Sequence, residues 1–276
     1  MTSDGAHPRA RYPSDLSDEE WAIIEPIINE LDPYKTGRKR ESNLREILNA
    51  IFYLNKTGCP WRYLPKDFPS YHLVNYYYNK WTHSGLLEQI NAALRARLRQ
   101  KEDRNPDPSG AIIDSQSVKG TPESSIESGF DGGKLVKGRK RHIVVDTMGC
   151  LLVVYVHAAN IFDGKAARDV LTRLFVILQS VKIIWADCGY LGDELFRWIL
   201  SEFQCTLEVV KRKSGTKGFH VLPRRWVVER TFAWLGRSRR LSKDYERNPR
   251  SSESQVNLAS SRLLLRQLCD NQIAFE

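Results

Sequence analysis

The sequence predicts an α/β chain, with a mixed-sheet domain preceded by an all-α, helix-turn-helix-like domain. Three observations carry that prediction. Before about residue 105, apolar side chains recur at helical spacing. Short apolar runs ending in aspartate stand at Ala111–Asp114 and Lys182–Asp187. Around these runs strand and helix patterns alternate, as expected of a sheet with helices on its faces. The stretch Gln100–Gly110, with Pro106, Pro108 and Gly110 among charges, reads as a linker, giving domains 1–105 and 106–276.

In the first domain, Ser17-Asp18-Glu19-Glu20 is a capping-box pattern leading into Trp21, Ile24, Ile27, Ile28 and Leu31 at helical spacing. The basic linker Gly37-Arg38-Lys39-Arg40 follows. Asn43–Thr57 predicts a second helix, stopped by Gly58-Cys59-Pro60, and Trp61–Pro65 a tight turn. Ser70 caps a third helix carrying Leu73, Val74, Tyr77, Tyr78 and Trp81; Leu86, Ile90, Leu94 and Leu98 mark a fourth that ends in basic residues. Helix, tight connection, helix is the arrangement of a DNA reader, with Ser70–Thr82 as candidate recognition helix, although small bundles without a DNA role share it.

In the second domain, Ala111–Asp114 predicts the first strand and 119–133 a loop. His142–Asp146 and Cys150–His157 predict an antiparallel hairpin about Thr147-Met148-Gly149. Asp163–Gln179 has helical spacing, Lys182–Ala186 reads as a strand, and Leu191–Leu200 as a helix. Cys205–Val210 follows as a strand, then helices at Pro223–Leu235 and 253–268. A crossover through the 163–179 helix would set the Asp187 strand parallel to and beside the Asp114 strand, so that both carboxylates leave one sheet edge.

Net charge is +9, but residues 211–250 alone hold 13 Lys or Arg against 3 Asp or Glu. A concentrated basic field suits a polyanion such as nucleic acid. Five scattered cysteines form no C-x-x-C pair, which with the absence of a signal-peptide pattern predicts a reducing, cytoplasmic setting. No apolar run reaches membrane-spanning length, so a membrane partner is not expected.

The candidate chemistry rests on Asp114, Asp187 and Glu229. Two Asp and one Glu supply the hard oxygen ligands that Mg2+ or Mn2+ takes, and such ions serve phosphoryl transfer. Without a cation, neighbouring carboxylates would raise one another's pKa. Each acid also has a plainer reading: an Asp after a strand is often a turn former, Asp146 suits the hairpin turn, Asp163 suits a helix cap, and Arg225–Glu229 suits a surface ion pair. Lys137, Arg139, Lys140 and Arg141 are expected to meet phosphate broadly, and Arg225, Arg230 and Arg237 to position DNA strands.

The chain resembles bacterial DDE transposases of the insertion-sequence-five family. The amino-terminal residues that carry the likeness are Tyr12–Trp21 and Gly58-Cys59-Pro60-Trp61-Arg62-Tyr63-Leu64-Pro65. In the second domain they are Ile113-Asp114-Ser115-Gln116-Ser117-Val118-Lys119, Lys137–His142, Ala186-Asp187-Cys188-Gly189-Tyr190 and Trp226–Leu235. The resemblance implies a ribonuclease-H-like catalytic domain with Asp114, Asp187 and Glu229 as a triad binding Mg2+, with Mn2+ able to substitute. It implies double-stranded DNA partners, namely terminal inverted repeats and target DNA, with donor cleavage, 3′-end transfer and a homodimer in the active complex. The wider pattern places Tyr three residues before the Arg and Lys seven after the Glu; here those positions hold Leu222 and Gly236, with Arg237 as a substitute cation. Two other readings stand beside this one: a DNA nuclease without strand transfer, and a catalytically silent DNA-binding regulator on the same fold.

Overall fold

The computed structural model describes residues 9–33, 42–124, 126–210 and 224–270. The Gly37–Arg40 linker and the Leu222 position lie outside them. The amino-terminal half is four helices: α1 (Asp18–Leu31), α2 (Leu44–Thr57), α3 (Tyr71–Ser84) and α4 (Leu86–Lys101). Their ends follow local chemistry. Ser17 and Glu20 form the reciprocal capping box of α1, Asn43 accepts from Arg45 and Glu46 to cap α2, and Gly58 closes α2 in the left-handed conformation at φ 73°. Ser70 caps α3 as expected. Of the α3 aromatics, Tyr77, Tyr78 and Trp81 are buried in the helical core, while Tyr76 is exposed.

The second half is a six-stranded sheet: β1 (Gly110–Lys119), β2 (Gly129–Asp131), β3 (Val136–Asp146), β4 (Leu151–Ala158), β5 (Ile183–Ala186) and β6 (Thr206–Val209). The order is β2-β3-β1-β5-β6, with β4 also pairing with β3. β1 runs antiparallel to β3 and parallel to β5, and β3 and β4 form the expected hairpin. Helices α5 (Asp163–Ile177) and α6 (Asp193–Phe203) cover one face of the sheet. α7 (Trp226–Leu235) and α8 (Pro249–Leu268) cover the other. The fold is thus α/β, with a mixed, ribonuclease-H-like sheet preceded by helices.

Strand alternation explains the layers. Ala111 and Ile113 of β1, with Ile184 and Ala186 of β5, join the core under α5 and α6. Ile112 and Trp185, pointing the other way, join Val227, Val228 and Leu235 of α7. α8 belongs to both halves. Leu258, Leu264 and Leu265 enter the helical core, and Val256 and Ala259 enter the sheet core. Polar contacts fasten the same helix to the amino-terminal bundle. Arg262 meets buried Glu20 at 2.6 Å, the Tyr78 hydroxyl donates to the Ser251 carbonyl at 2.8 Å, and Asn55 donates to Gln255.

β1 and β3 are longer than the sequence pattern suggested, and this corrects one functional expectation. The basic run 137–141 lies inside β3, paired with β1 on one side and with β2 and β4 on the other. Alternation then drives the side chains of residues 139–141 to the two covered faces of the sheet. Arg139 is fully buried, bonding Asp244 at 3.1 Å and the carbonyls of Ile126, Glu246 and Arg247. Arg141 is buried against the carbonyls of Leu241 and Lys243. Lys140 is buried with its ammonium 2.9 Å from Asp163 and 3.0 Å from the Ile161 carbonyl. These three are structural cations rather than phosphate contacts; Lys137 alone of the run reaches the surface.

Candidate active site

Register places the acids. Ile112 pairs with Trp185, so Asp114 and Asp187 each follow two residues later and emerge at one edge of the sheet. Both have the parity of the residues that face α7. α7 is pinned over that face by Val228 and Leu235 and by two contacts to the hairpin turn. The Thr231 hydroxyl donates to the Gly149 carbonyl at 3.0 Å, and Arg230 donates to the Met148 carbonyl at 2.7 Å. Glu229, on the same helix, is thereby held beside the two aspartates.

The three carboxylates converge on one nitrogen. Arg225 Nη2 lies 3.5 Å from Asp114 Oδ2, 3.6 Å from Glu229 Oε1 and 3.9 Å from Asp187 Oδ2. Asp114 is the most enclosed of the three, and burial first, then the neighbouring Asp187 charge, push its carboxyl up to about 6 despite the Ser115 amide and Arg225. The Asp187 carboxylate accepts the Gly189 amide at 2.8 Å, which fixes it over a short 3₁₀ turn at Cys188–Tyr190. The donor set is all carboxylate oxygen, the chemistry that Mg2+ and Mn2+ take. In this arrangement the guanidinium stands between the acids, and among the described residues no three acids are close enough to share an ion.

A polar layer behind Asp114 was not anticipated from the sequence. Asp163 caps nothing; α5 is entered from Phe162, and Asp163 instead accepts from Ser115 Oγ at 3.1 Å and from Lys140. The buried Tyr190 hydroxyl bonds His142 Nδ1 at 2.9 Å, and its pKa is driven well up by burial and by Asp114, Asp163 and Asp187. His142 is kept neutral by burial, its pKa well below the ordinary value. Ser115 and His142 lie within β1 and β3 and face each other in register, but their side-chain partners Asp163 and Tyr190 are distant in the chain.

The remaining arginines divide by environment. Arg224 stacks on Trp185 at 4.1 Å, and Arg230 lies between Trp226 and Trp234 at 4.6 and 4.3 Å from their ring centres. Arg237 is half-buried just past α7. Gly236, at the position where the wider pattern has Lys, borders a cavity of about 110 Å3 that Gln116, Arg141 and Phe232 also line.

A family profile described as "Transposase DDE domain" matches residues 105–263. The chain belongs to this family. A second profile, "Putative transposase of IS4/5 family", matches residues 16–91, which places the chain with DDE transposases of the IS4/5 type. Among curated relatives, the chain is 33% identical over 117 residues to "Putative transposase for insertion sequence element IS402" of Burkholderia cepacia. That match covers 40% of this chain and 54% of the relative, so it spans about half the relative's length. It is 31% identical over 109 residues to "Insertion element IS402 uncharacterized 16.2 kDa protein" of the same organism, covering 38% of this chain and 72% of the relative. It is 27% identical over 122 residues to "Uncharacterized protein y4sN" of Sinorhizobium fredii, covering 44% and 88%. Among the described residues no helix is long and apolar enough to cross a membrane.

Proposed function

We propose that this DDE-family chain is a metal-dependent transposase that cuts element-end DNA and joins the freed 3′ ends to target DNA. The observation that carries the reading is the approach of Asp114, Asp187 and Glu229, from β1, the end of β5 and α7, to one nitrogen of Arg225. Glu229 reaches Arg225 as an i,i+4 neighbour on α7, but Asp114 and Asp187 come to the same nitrogen from distant strands and not by local chain preference. Asp114, Asp187 and Glu229 would hold Mg2+, or Mn2+ in its place. The ion would supply a polarised phosphodiester and an activated water or 3′-hydroxyl.

The chain's own residues do the rest. Asp114, rigid in the sheet, fixes one wall of the site. Asp187 is oriented by the Gly189 amide, and Glu229, on an anchored helix and half-exposed, faces incoming DNA. Arg225 and the exposed Lys137 meet phosphate, and the Trp226–Arg230–Trp234 stack offers a flat, cationic face beside the site. The active complex is a homodimer on the inverted-repeat ends of the element, acting in the cytoplasm.

The test is a cleavage and joining assay with the DNA that flanks the gene as end substrate and a second duplex as target, in Mg2+ and in Mn2+. Joined products that disappear in each triad variant support the reading. Cleavage without joining would identify a nuclease. Sequence-dependent binding without any cleavage, unaffected by loss of the acids, would identify a silent regulator.

A further inference from the structure

We infer that Arg225 is an internal place-holder for the metal: its guanidinium occupies the centre of the carboxylate cluster until a DNA phosphate draws it off. The inference rests on the proposed function and adds to it an order of events, in which the site takes up its ion only with DNA at hand.

Four observations carry it. The first is position, since one nitrogen touches all three acids and no acid oxygen is closer to it than 3.5 Å. The second is looseness. Three other arginines, each against a buried acid, have at least one short contact: Arg262–Glu20 at 2.6 Å, Arg240–Glu246 at 2.7 Å and Arg139–Asp244 at 3.1 Å. Charge-assisted bonds of full strength lie at about 2.7–2.9 Å, so contacts of 3.5, 3.6 and 3.9 Å hold the guanidinium in the cluster's field without binding it firmly to any acid. The third is an unmet donor, because Arg225 Nε is buried and has no partner among the described residues. Leaving a buried donor unpaired is costly, and release to phosphate would relieve that cost.

The fourth observation is the backbone. Arg225 is the N-cap residue of α7 and gives it no side-chain cap, so a cation stands at the helix end that favours anions. Arg224, immediately before it, sits at φ 67°, a left-handed conformation that a side chain rarely adopts. Charge completes the case. Three carboxylates against one guanidinium leave the pocket negative, enough to keep Arg225 in place, while a divalent ion matches the acids better once the arginine has another anion. By linkage, whatever pulls Arg225 outward tightens metal binding, and metal tightens that anion's binding in return.

The test measures Mn2+ binding by calorimetry and by electron paramagnetic resonance of free Mn2+. The proteins are the full chain, Arg225→Gln, Asp114→Asn and the double variant, with folding checked by circular dichroism. Each is measured alone and with an element-end duplex whose 3′ terminus is dideoxy and cannot be joined. The expected result is weak binding by the unmodified chain alone and binding at least tenfold tighter with the duplex. Arg225→Gln should bind tightly with or without it, and the double variant should lose the tight site. If Arg225→Gln binds Mn2+ no better than the unmodified chain while Asp114→Asn weakens binding, the place-holder idea is overturned and the metal-site reading survives. If no protein's Mn2+ binding depends on Asp114, the reading fails and the inference falls with it.

Discussion

Ile112 of β1 lies directly opposite Trp185 of β5 in parallel register, and this single pairing puts Asp114 and Asp187 at the same height on the same sheet edge. A slip of one residue on either strand would turn one of the two carboxylates to the α5–α6 face. Ala111, Ile113, Ile184 and Ala186 fill the core under α5 and α6 while Ile112 and Trp185 fill the one under α7, so a slip would exchange large and small side chains between two closely packed cores. The position of the site is therefore a by-product of core packing. The third acid, from α7, is placed by the burial of Val228 and Leu235 and by the Thr231 and Arg230 bonds to the hairpin turn.

Because the two solvent-reaching acids carry little structural duty, their loss should separate activity from stability. Asp187 and Glu229 side chains are 33% and 46% exposed. Asp187→Asn and Glu229→Gln are expected to keep the thermal midpoint within a few degrees. Each should lower metal-dependent end cleavage by at least the 10²–10³-fold seen when one group stabilising a reacting centre is removed. Melting curves and a cleavage time course on the same preparations check this. Full activity in either variant would remove that residue from the site.

Asp114 should behave differently, since burial holds its carboxyl at about 6 against an ordinary value of 3.8. The folded chain binds this proton more tightly than the unfolded chain. Its contribution to stability is thus complete below pH 3.8 and lost as pH rises through about 6. At neutral pH in chelator, Asp114→Asn removes a buried charge and is expected to stabilise the metal-free protein, by about 2–3 kcal/mol at most. The gain should shrink toward pH 4. Denaturant titrations at pH 4, 5, 6 and 7 measure it, and a variant that is less stable than the parent at pH 7 would contradict the assignment of cost.

Much of this was legible in the sequence because it depends on local pattern. Ser17 with Glu20, Asn43 and Gly58 announce helix ends; the apolar runs before Asp114 and Asp187 announce strands; Thr147-Met148-Gly149 announces a hairpin turn. What local pattern does not contain is the partner of a charge. Arg139 and Arg141 read as surface cations because their acidic partner is remote in sequence: Asp244 closes over both from about a hundred residues away. Arg99 likewise looked like part of a basic helix end and is instead buried on Asp146. α8 was placed with the sheet, and its polar residues Ser251, Gln255 and Arg262 gave no sign that they bind the amino-terminal helices.

That distinction predicts opposite outcomes within one basic run. Arg139→Gln leaves Asp244 buried without its main cation and should cost about 3–5 kcal/mol. Lys137→Gln touches no such pair and should leave stability within about 0.5 kcal/mol, while reducing the slope of log binding against log salt by about one phosphate contact. Urea unfolding and DNA titrations from 50 to 200 mM salt, chosen to span about that range, distinguish the two. Equal stability in both variants would overturn the burial argument.

The sharpest probe of site geometry is a residue with no side chain. A Cβ at Gly189 would stand 2.9 Å from Asp187 Oδ1 and 3.2 Å from Asp163 Oδ2. The Gly189 backbone is in an ordinary region, so Gly189→Ala brings no conformational penalty of its own; the strain falls on the two carboxylates. Asp163 is tied to Lys140 and Ser115, whereas Asp187 is held by the Gly189 amide and by distant Arg225, so Asp187 is the one that gives way. A displacement on the order of 1 Å at a reacting centre costs about 10²-fold in rate. Gly189→Ala should therefore cut the cleavage rate by roughly that factor while far-ultraviolet circular dichroism and DNA affinity stay unchanged. An unaltered rate would mean that the orientation of Asp187 over this turn does not matter to the chemistry.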